Sequence, residues 1–220
     1  MNRLLPVIAA LAAVGLSGCA GLGTINRAAT PTDLFTLTPK STFASNLPRL
    51  RQQIVIEEPT ATAAVDTDQI AVHPTPLQVE YLPRVRWVDR APLIVQALMI
   101  ESFENSGKVA AVGRSTVGLR PDYTIVTDVR EFQANLPAAD VEDAPLEIHV
   151  RLNLKIIDSF SDHIIGSNSF GEQVVAQSDE MIDVAAAFDT ALGRAMRKSV
   201  EWSVRKIHAH AQANPRPTLQ

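Results

Sequence analysis

Leu146-Glu147-Ile148-His149-Val150-Arg151-Leu152-Asn153-Leu154-Lys155-Ile156-Ile157 decides the fold. Leu146, Ile148, Val150, Leu152, Leu154 and Ile156 fall on one face, and Glu147, His149, Arg151, Asn153 and Lys155 on the other. A period of two sustained over that length predicts a β-strand with one dry and one wet face. Asp158-Ser159-Phe160-Ser161-Asp162 has turn composition, so residues 163–175 return as a second strand. Residues 122–132 alternate more weakly and complete an antiparallel three-strand meander.

That meander needs a cover. Residues 183–208 place Val184, Phe188, Ala191, Leu192, Ala195, Val200, Val204 and Ile207 at helical spacing. Acids lie early in this segment and Arg194, Arg197, Lys198, Arg205 and Lys206 late, which complements the helix dipole. A second helix is predicted over 91–105. Pro92 sits in its first turn and Ser106-Gly107 ends it. Eight of the twelve residues from Leu93 to Glu104 are apolar, more than one stripe requires, so this helix is buried on several sides or meets a partner. It is also apolar enough to line a groove for lipid, but core packing is the favoured reading of the same residues.

Upstream, Leu34–Thr38, Ile54–Ile56, Gln69–His73 and Leu77–Tyr81 read as short strands, with residues 59–68 rich in turn formers. Pro74 and Pro76 favour edge positions or a loop-like pairing for the last two. The expected architecture is α+β: an antiparallel or mixed sheet covered by two main helices in a single domain over 33–210, with 211–220 a disordered tail.

Composition narrows the function. Of 220 residues, 46% are hydrophobic and 20% charged, with net charge −4, so a packed core is expected and nucleic acid is a poor partner. A single cysteine excludes an internal disulfide framework and a Cys-rich zinc site. Aromatics at 5% are too few for a base-stacking platform.

Residues 1–18 read as a signal peptide: Arg3, then a charge-free apolar run from Leu4 to Leu16 that is too short to span a bilayer. The run ends in Leu16-Ser17-Gly18-Cys19. This resembles the lipobox of bacterial lipoproteins, in which the thiol is alkylated with diacylglycerol and the chain is cut between the residues that Gly18 and Cys19 match. Small residues admit the backbone to a protease cleft, and the thiol supplies the thioether. Several acyl chains on one residue hold stably where one chain binds marginally. Loss of Arg3 takes the net charge from −4 to −5. Residue 20 is Ala and not Asp, which by the sorting rule of enterobacterial lipoproteins implies the outer membrane. Residues 20–32 (AGLGTINRAATPT) form a tether reaching at most about 45 Å.

Catalytic motifs are missing: no G-x-S-x-G, H-E-x-x-H, P-loop or G-x-G-x-x-G occurs. His208 and His210 form an HxH pair without a third ligand at sensible spacing, and read as a solvated helix end. His149 falls on the wet strand face. His73 and His163 flank turns. Asp66-Thr67-Asp68 lacks the Gly and distal Glu of a calcium loop and reads as a polar turn. Asp158 and Asp162 close a hairpin, although paired carboxylates could do acid–base work on envelope lipid or peptidoglycan. Trp87 and Trp202 read as core packing or interface anchors. No catalytic residue, metal site or cofactor is expected, and the chain reads as a binding or assembly protein rather than an enzyme.

The pieces together resemble the auxiliary lipoproteins of ABC-type transport systems, the PqiC-like group. Phe35-Thr36-Leu37-Thr38-Pro39 opens the match, followed by Ile70-Ala71-Val72-His73-Pro74, Leu77 and Tyr81. Arg86-Trp87, Ala91-Pro92 and Ser106-Gly107 are its most specific part, and Asp122-Tyr123, Phe132, Phe170, Ala187-Phe188-Asp189, Ala191-Leu192 and Trp202 complete it. The opening aromatic is more often Tyr in that group. The resemblance implies a palmitate-bearing lipoprotein on the periplasmic face of the outer membrane, with no catalytic residues. It implies an MCE-domain (PqiB/MlaD-like) partner, a permease and an ATPase in lipid transport that serves membrane integrity. Self-association into a homo-oligomer fits that role. The alternative is a structural lipoprotein that assists assembly of an outer-membrane protein.

Overall fold

The computed structural model describes residues 31–115, 120–136 and 145–215. The chain divides between Asp33 and Leu34, and the architecture below is that of the second unit, residues 34–220. The strands are β1 (Asp33–Phe35), β2 (Gln53–Ile56), β3 (Thr60–Ala61), β4 (Gln69–Thr75), β5 (Gln78–Trp87), β6 (Ala111–Arg114), β7 (Tyr123–Asn135), β8 (Glu147–Asp158) and β9 (His163–Val175). The helices are α1 (Ala91–Asn105) and α2 (Met181–Ala213). The fold is α+β, with one mixed sheet.

β7 organises that sheet. On one side it pairs antiparallel with β8 along its length, and β8 pairs with β9. The meander is therefore as the alternation predicts. On its other side three separate strands share the edge of β7 end to end, all parallel to it. Ile54–Ile56 of β2 lie against Tyr123–Ile125, Thr60–Ala61 of β3 against Asp128–Val129, and Ala71–His73 of β4 against Gln133–Asn135. Beyond them, β6 adds to β2, β5 to β4, and β1 to β5.

The dry face of β8 is complete: Ile148, Val150, Leu152, Leu154 and Ile156 are each 0% exposed. Burial of each such side chain contributes about 1.5–3 kcal/mol. α2 lies over this face with Val184, Phe188, Leu192, Val200, Val204 and Ile207 buried. α1 joins the same core and touches α2 where the Ser102 hydroxyl meets Met196 Sδ at 3.7 Å. Nine of its residues are buried, including Gln96, whose Nε2 donates to Ile56 O at 3.0 Å. Breadth of burial thus explains its unusual apolarity. It begins with Pro92 in the first turn and ends at Ser106, and Gly107 leaves the helix at φ +60°. Trp87, Phe132 and Phe188 form an aromatic cluster with centroid separations of 5.1–5.7 Å.

The structure corrects three local expectations. β1 stops at Phe35 rather than continuing to Thr38, because Thr38 N and Oγ1 both donate to the Asp189 carboxylate of α2, at 2.6 and 2.9 Å. β4 is not an edge strand, since it lies between β5 and β7. Pro74 is accommodated because it sits just past His73, the last residue paired with β7. α2 runs five residues beyond His208, to Ala213.

Candidate functional site

Cys19 and Gly18 lie outside the described residues. The other candidate residues fall within the folded body, and the structure places each of them.

The acidic turn Asp66-Thr67-Asp68 is a clamp for two arginines. Arg90 reaches Asp66 at 2.6 Å and Glu58 at 2.8 Å, and Arg86 reaches Asp68 at 2.8 Å. Asp66 above all, with Glu58, raises the pKa of Arg90. Backbone bonds from Trp87 N to Asp68 O and from Ala91 N to Thr67 O fix the same turn against the β5–α1 junction. These carboxylates face guanidinium groups rather than a vacant ligand position.

Asp158 and Asp162 shape the β8–β9 turn. The Asp158 carboxylate accepts from Phe160 N at 3.3 Å and from Ser161 Oγ at 2.8 Å, and Asp162 occupies the left-handed region at φ +56°. Turn geometry accounts for both residues.

Two histidines depart from expectation. His149 is not wet: its side chain is 14% exposed, with Nε2 at 2.9 Å from Glu147 Oε2 and Nδ1 at 3.4 Å from Gln173 Nε2. His210 is not a solvated helix end: Nδ1 lies 2.9 Å from the Tyr123 hydroxyl, and the two rings meet edge-on. His73 and His208 are half-buried, and His163 is exposed. Among the described residues no three His, Cys, Asp or Glu side chains gather as a metal set.

The tryptophans divide. Trp87 is 2% exposed in the core. Trp202 is half-buried on the outside of α2, edge-on to Phe170 of β9 with centroids 5.7 Å apart. Beside it, Glu201 holds Arg197 at 3.1 Å and Arg205 at 3.5 Å, and accepts from Ala44 N at 2.9 Å. Burial pushes the Glu201 carboxyl up, but the Ala44 N–H and the two arginines outweigh it, and the pKa is lowered.

α1 borders a hollow of about 510 Å³ whose wall mixes Leu37, Val88, Leu93 and Ile94 with Glu58, Asp89, Gln96 and Arg114, so it is not an apolar groove. At one end Arg114 Nε donates to Gln96 Oε1 at 3.2 Å. No helix among the described residues is long and apolar enough to cross a membrane.

A family model described as the ABC-type transport auxiliary lipoprotein component matches residues 35–198. The chain belongs to this family. An uncharacterized protein of Bradyrhizobium diazoefficiens is 27% identical over 158 residues, which are 70% of this chain and 40% of that protein. The chain thus spans about two-fifths of the length of that relative. The crystal structure of a Xanthomonas campestris protein of the DUF330 family is similar, with TM-score 0.74 at 26% identity, covering 81% of this chain and 99% of that one. The crystal structure of an uncharacterized protein, at TM-score 0.60 and 9% identity with the same coverage, shows the fold alone.

The family match spans β2–β9 and most of α2. One surface feature of this auxiliary lipoprotein escaped the sequence reading. The β4–β5 hairpin carries Leu77 at its tip, 99% exposed, with Val79 and Tyr81 partly exposed behind it. Pro74-Thr75-Pro76 marks a turn there, but nothing in the pattern says how far it projects.

Proposed function

We propose that this chain is an outer-membrane-anchored periplasmic lipoprotein, a non-enzymatic accessory subunit of an MCE/ABC-type intermembrane lipid transport system. The observation that carries this reading is Leu16-Ser17-Gly18-Cys19-Ala20 standing ahead of a family match over 35–198. Acyl chains on Cys19 fix the protein at one membrane, and the tether over 20–32 gives its folded body a limited reach. An MCE-domain partner meeting that body is then held near the membrane at high effective concentration. The geometry of the body supports a binding role. Asp66 and Asp68 neutralise arginines, Asp158 closes a turn, and Leu77 and Trp202 offer the apolar and aromatic surface that protein contacts use.

The test is Cys19→Ala, followed by membrane fractionation and by measurement of phospholipid exchange between the two membranes. The expected result is loss of the chain from the outer-membrane fraction and loss of transport, with the folded body intact. Normal transport in the variant, or a wild-type chain with an unmodified thiol, would overturn the reading.

A further inference from the structure

Among the described residues β9 is hydrogen-bonded on one side only, to β8. It is 13 residues long, so its open side presents a row of backbone groups about 40 Å long. Natural sheets blunt such edges with Lys, Pro, bulges or a covering element. The segment Gly166–Val175 (GSNSFGEQVV) has no Lys, Arg or Pro. Its register with β8 is unbroken from Gly166 to Val175. Ser167, Asn168, Ser169 and Gly171 are exposed.

A second, independent feature runs beside this edge. α2 lies antiparallel to β9 and close to it. A Cβ built at Gly166 would stand 2.9 Å from Lys206 Cε and 3.2 Å from the Trp202 ring. Trp202 then meets Phe170, and Lys198 bonds Glu172. The outer row of α2, with Lys198, Trp202, Arg205 and Lys206, bounds a hollow of about 460 Å³. From Arg194 to Lys206 there are five cations and one acid, in a chain whose net charge is −4. Glu201 and Glu172 neutralise part of this charge, and Lys206 has no ion-pair partner among the described residues.

We propose that an extended acidic segment of a partner protein adds to the sheet at β9. Its backbone bonds to Gly166–Val175, and its side chains on the α2 side meet Lys206 and Arg205 beside the Trp202 ring. In strand addition of this kind, main-chain bonds supply affinity and pockets for alternate side chains supply specificity. A membrane surface would satisfy the cations but leave the strand's backbone groups unpaired. A second copy of this chain fits poorly. Its β9 offers one acid, Glu172, already bonded to Lys198, and its α2 would bring a like-charged row. The outer edge of β5 is broken by Pro83 and by Arg84 at φ +60°. This inference holds whichever membrane the lipid enters and whatever the transporter moves.

The experiment uses the full-length chain in detergent micelles and a fluorescein-labelled decapeptide alternating Glu and Val, with a Lys–Val decapeptide as comparison. Fluorescence anisotropy and amide hydrogen exchange are read together. The Glu–Val peptide binds, protects amides within Gly166–Val175, and loses about tenfold in affinity on Lys206→Glu or on replacement by the Lys–Val peptide. A Glu–Val peptide N-methylated at alternate backbone amides, which keeps the charge but cannot pair as a strand, also binds more weakly. Four outcomes overturn the proposal. The acidic peptide fails to bind, or binds without regard to charge, or protects amides elsewhere. Alternatively, the edge proves to be taken by a second copy, seen as a dimer in sedimentation that Ser169→Lys dissolves.

Discussion

The hydroxyl of Tyr123 lies 2.9 Å from Nδ1 of His210, joining the first residue of β7 to the last turn of α2. Tyr123 is 1% exposed, so the hydroxyl depends on protein partners. Tyr123→Phe and His210→Ala are each expected to lower stability by about 0.5–1.5 kcal/mol. Because they remove the same contact, the double variant should lose less than the sum of the two in urea denaturation.

Gly107 and Gly113 give a paired test of backbone conformation. Neither has an atom within 4 Å of a built Cβ, but Gly107 alone is at φ +60°. Gly107→Ala should cost about 1 kcal/mol through left-handed strain, while Gly113→Ala leaves the midpoint within about 0.5 kcal/mol of wild type. Equal effects at the two positions would show that conformation at the end of α1 is not what matters.

The two tryptophans should respond differently to truncation. Trp87 is enclosed by Phe132 and Phe188, so Trp87→Ala is expected to cost about 3–5 kcal/mol. Trp202 touches Phe170 from a half-open position, and Trp202→Ala should cost less than half as much. Thermal and denaturant unfolding monitored by circular dichroism separates the two.

Glu201 predicts a pH dependence with a definite sign. Its carboxyl is lowered in the folded state, burial notwithstanding, by Ala44 N–H, Arg197 and Arg205. The contribution is therefore full above the ordinary carboxylate range and is lost as pH falls through the lower folded value. Glu201→Gln should be less stable than wild type at pH 7, and the gap should close as pH falls below about 4. A gap that stays constant with pH would assign the effect to shape rather than charge.

The parts of the fold that could be read from sequence are those whose cause is local. The alternation of Leu146–Ile156 is the burial pattern of β8 itself, because every second side chain meets the same core. The bounds of α1 follow from Pro92 and Ser106-Gly107, which act within one turn. The neighbours of β7 have no such local cause. β2, β3 and β4 find it across roughly 60–70 residues of chain, and β3 is only two residues long, too short for any period. The histidines misled for a related reason. Face periodicity gives the direction of His149 and His210 but not the side chains of Glu147, Gln173 and Tyr123 that close over them. Trp202 could be placed on a helix, whereas its position beside Phe170 of β9 needed the three-dimensional arrangement. The proposed lipidation at Cys19 stands apart, because its chemistry would be covalent and its motif lies within four consecutive residues.

The arrangement in which β2, β3 and β4 all lean on β7 has a consequence for the order of assembly. A chain delivered amino-terminus first presents these three strands well before residues 123–135 arrive, and β7 in turn lacks its long neighbour until residues 147–158 follow. Sheet formation must wait for long-range closure, which slows folding relative to local structure. The early third of the body would therefore remain open, with its apolar strands in need of protection, until most of the polypeptide has emerged.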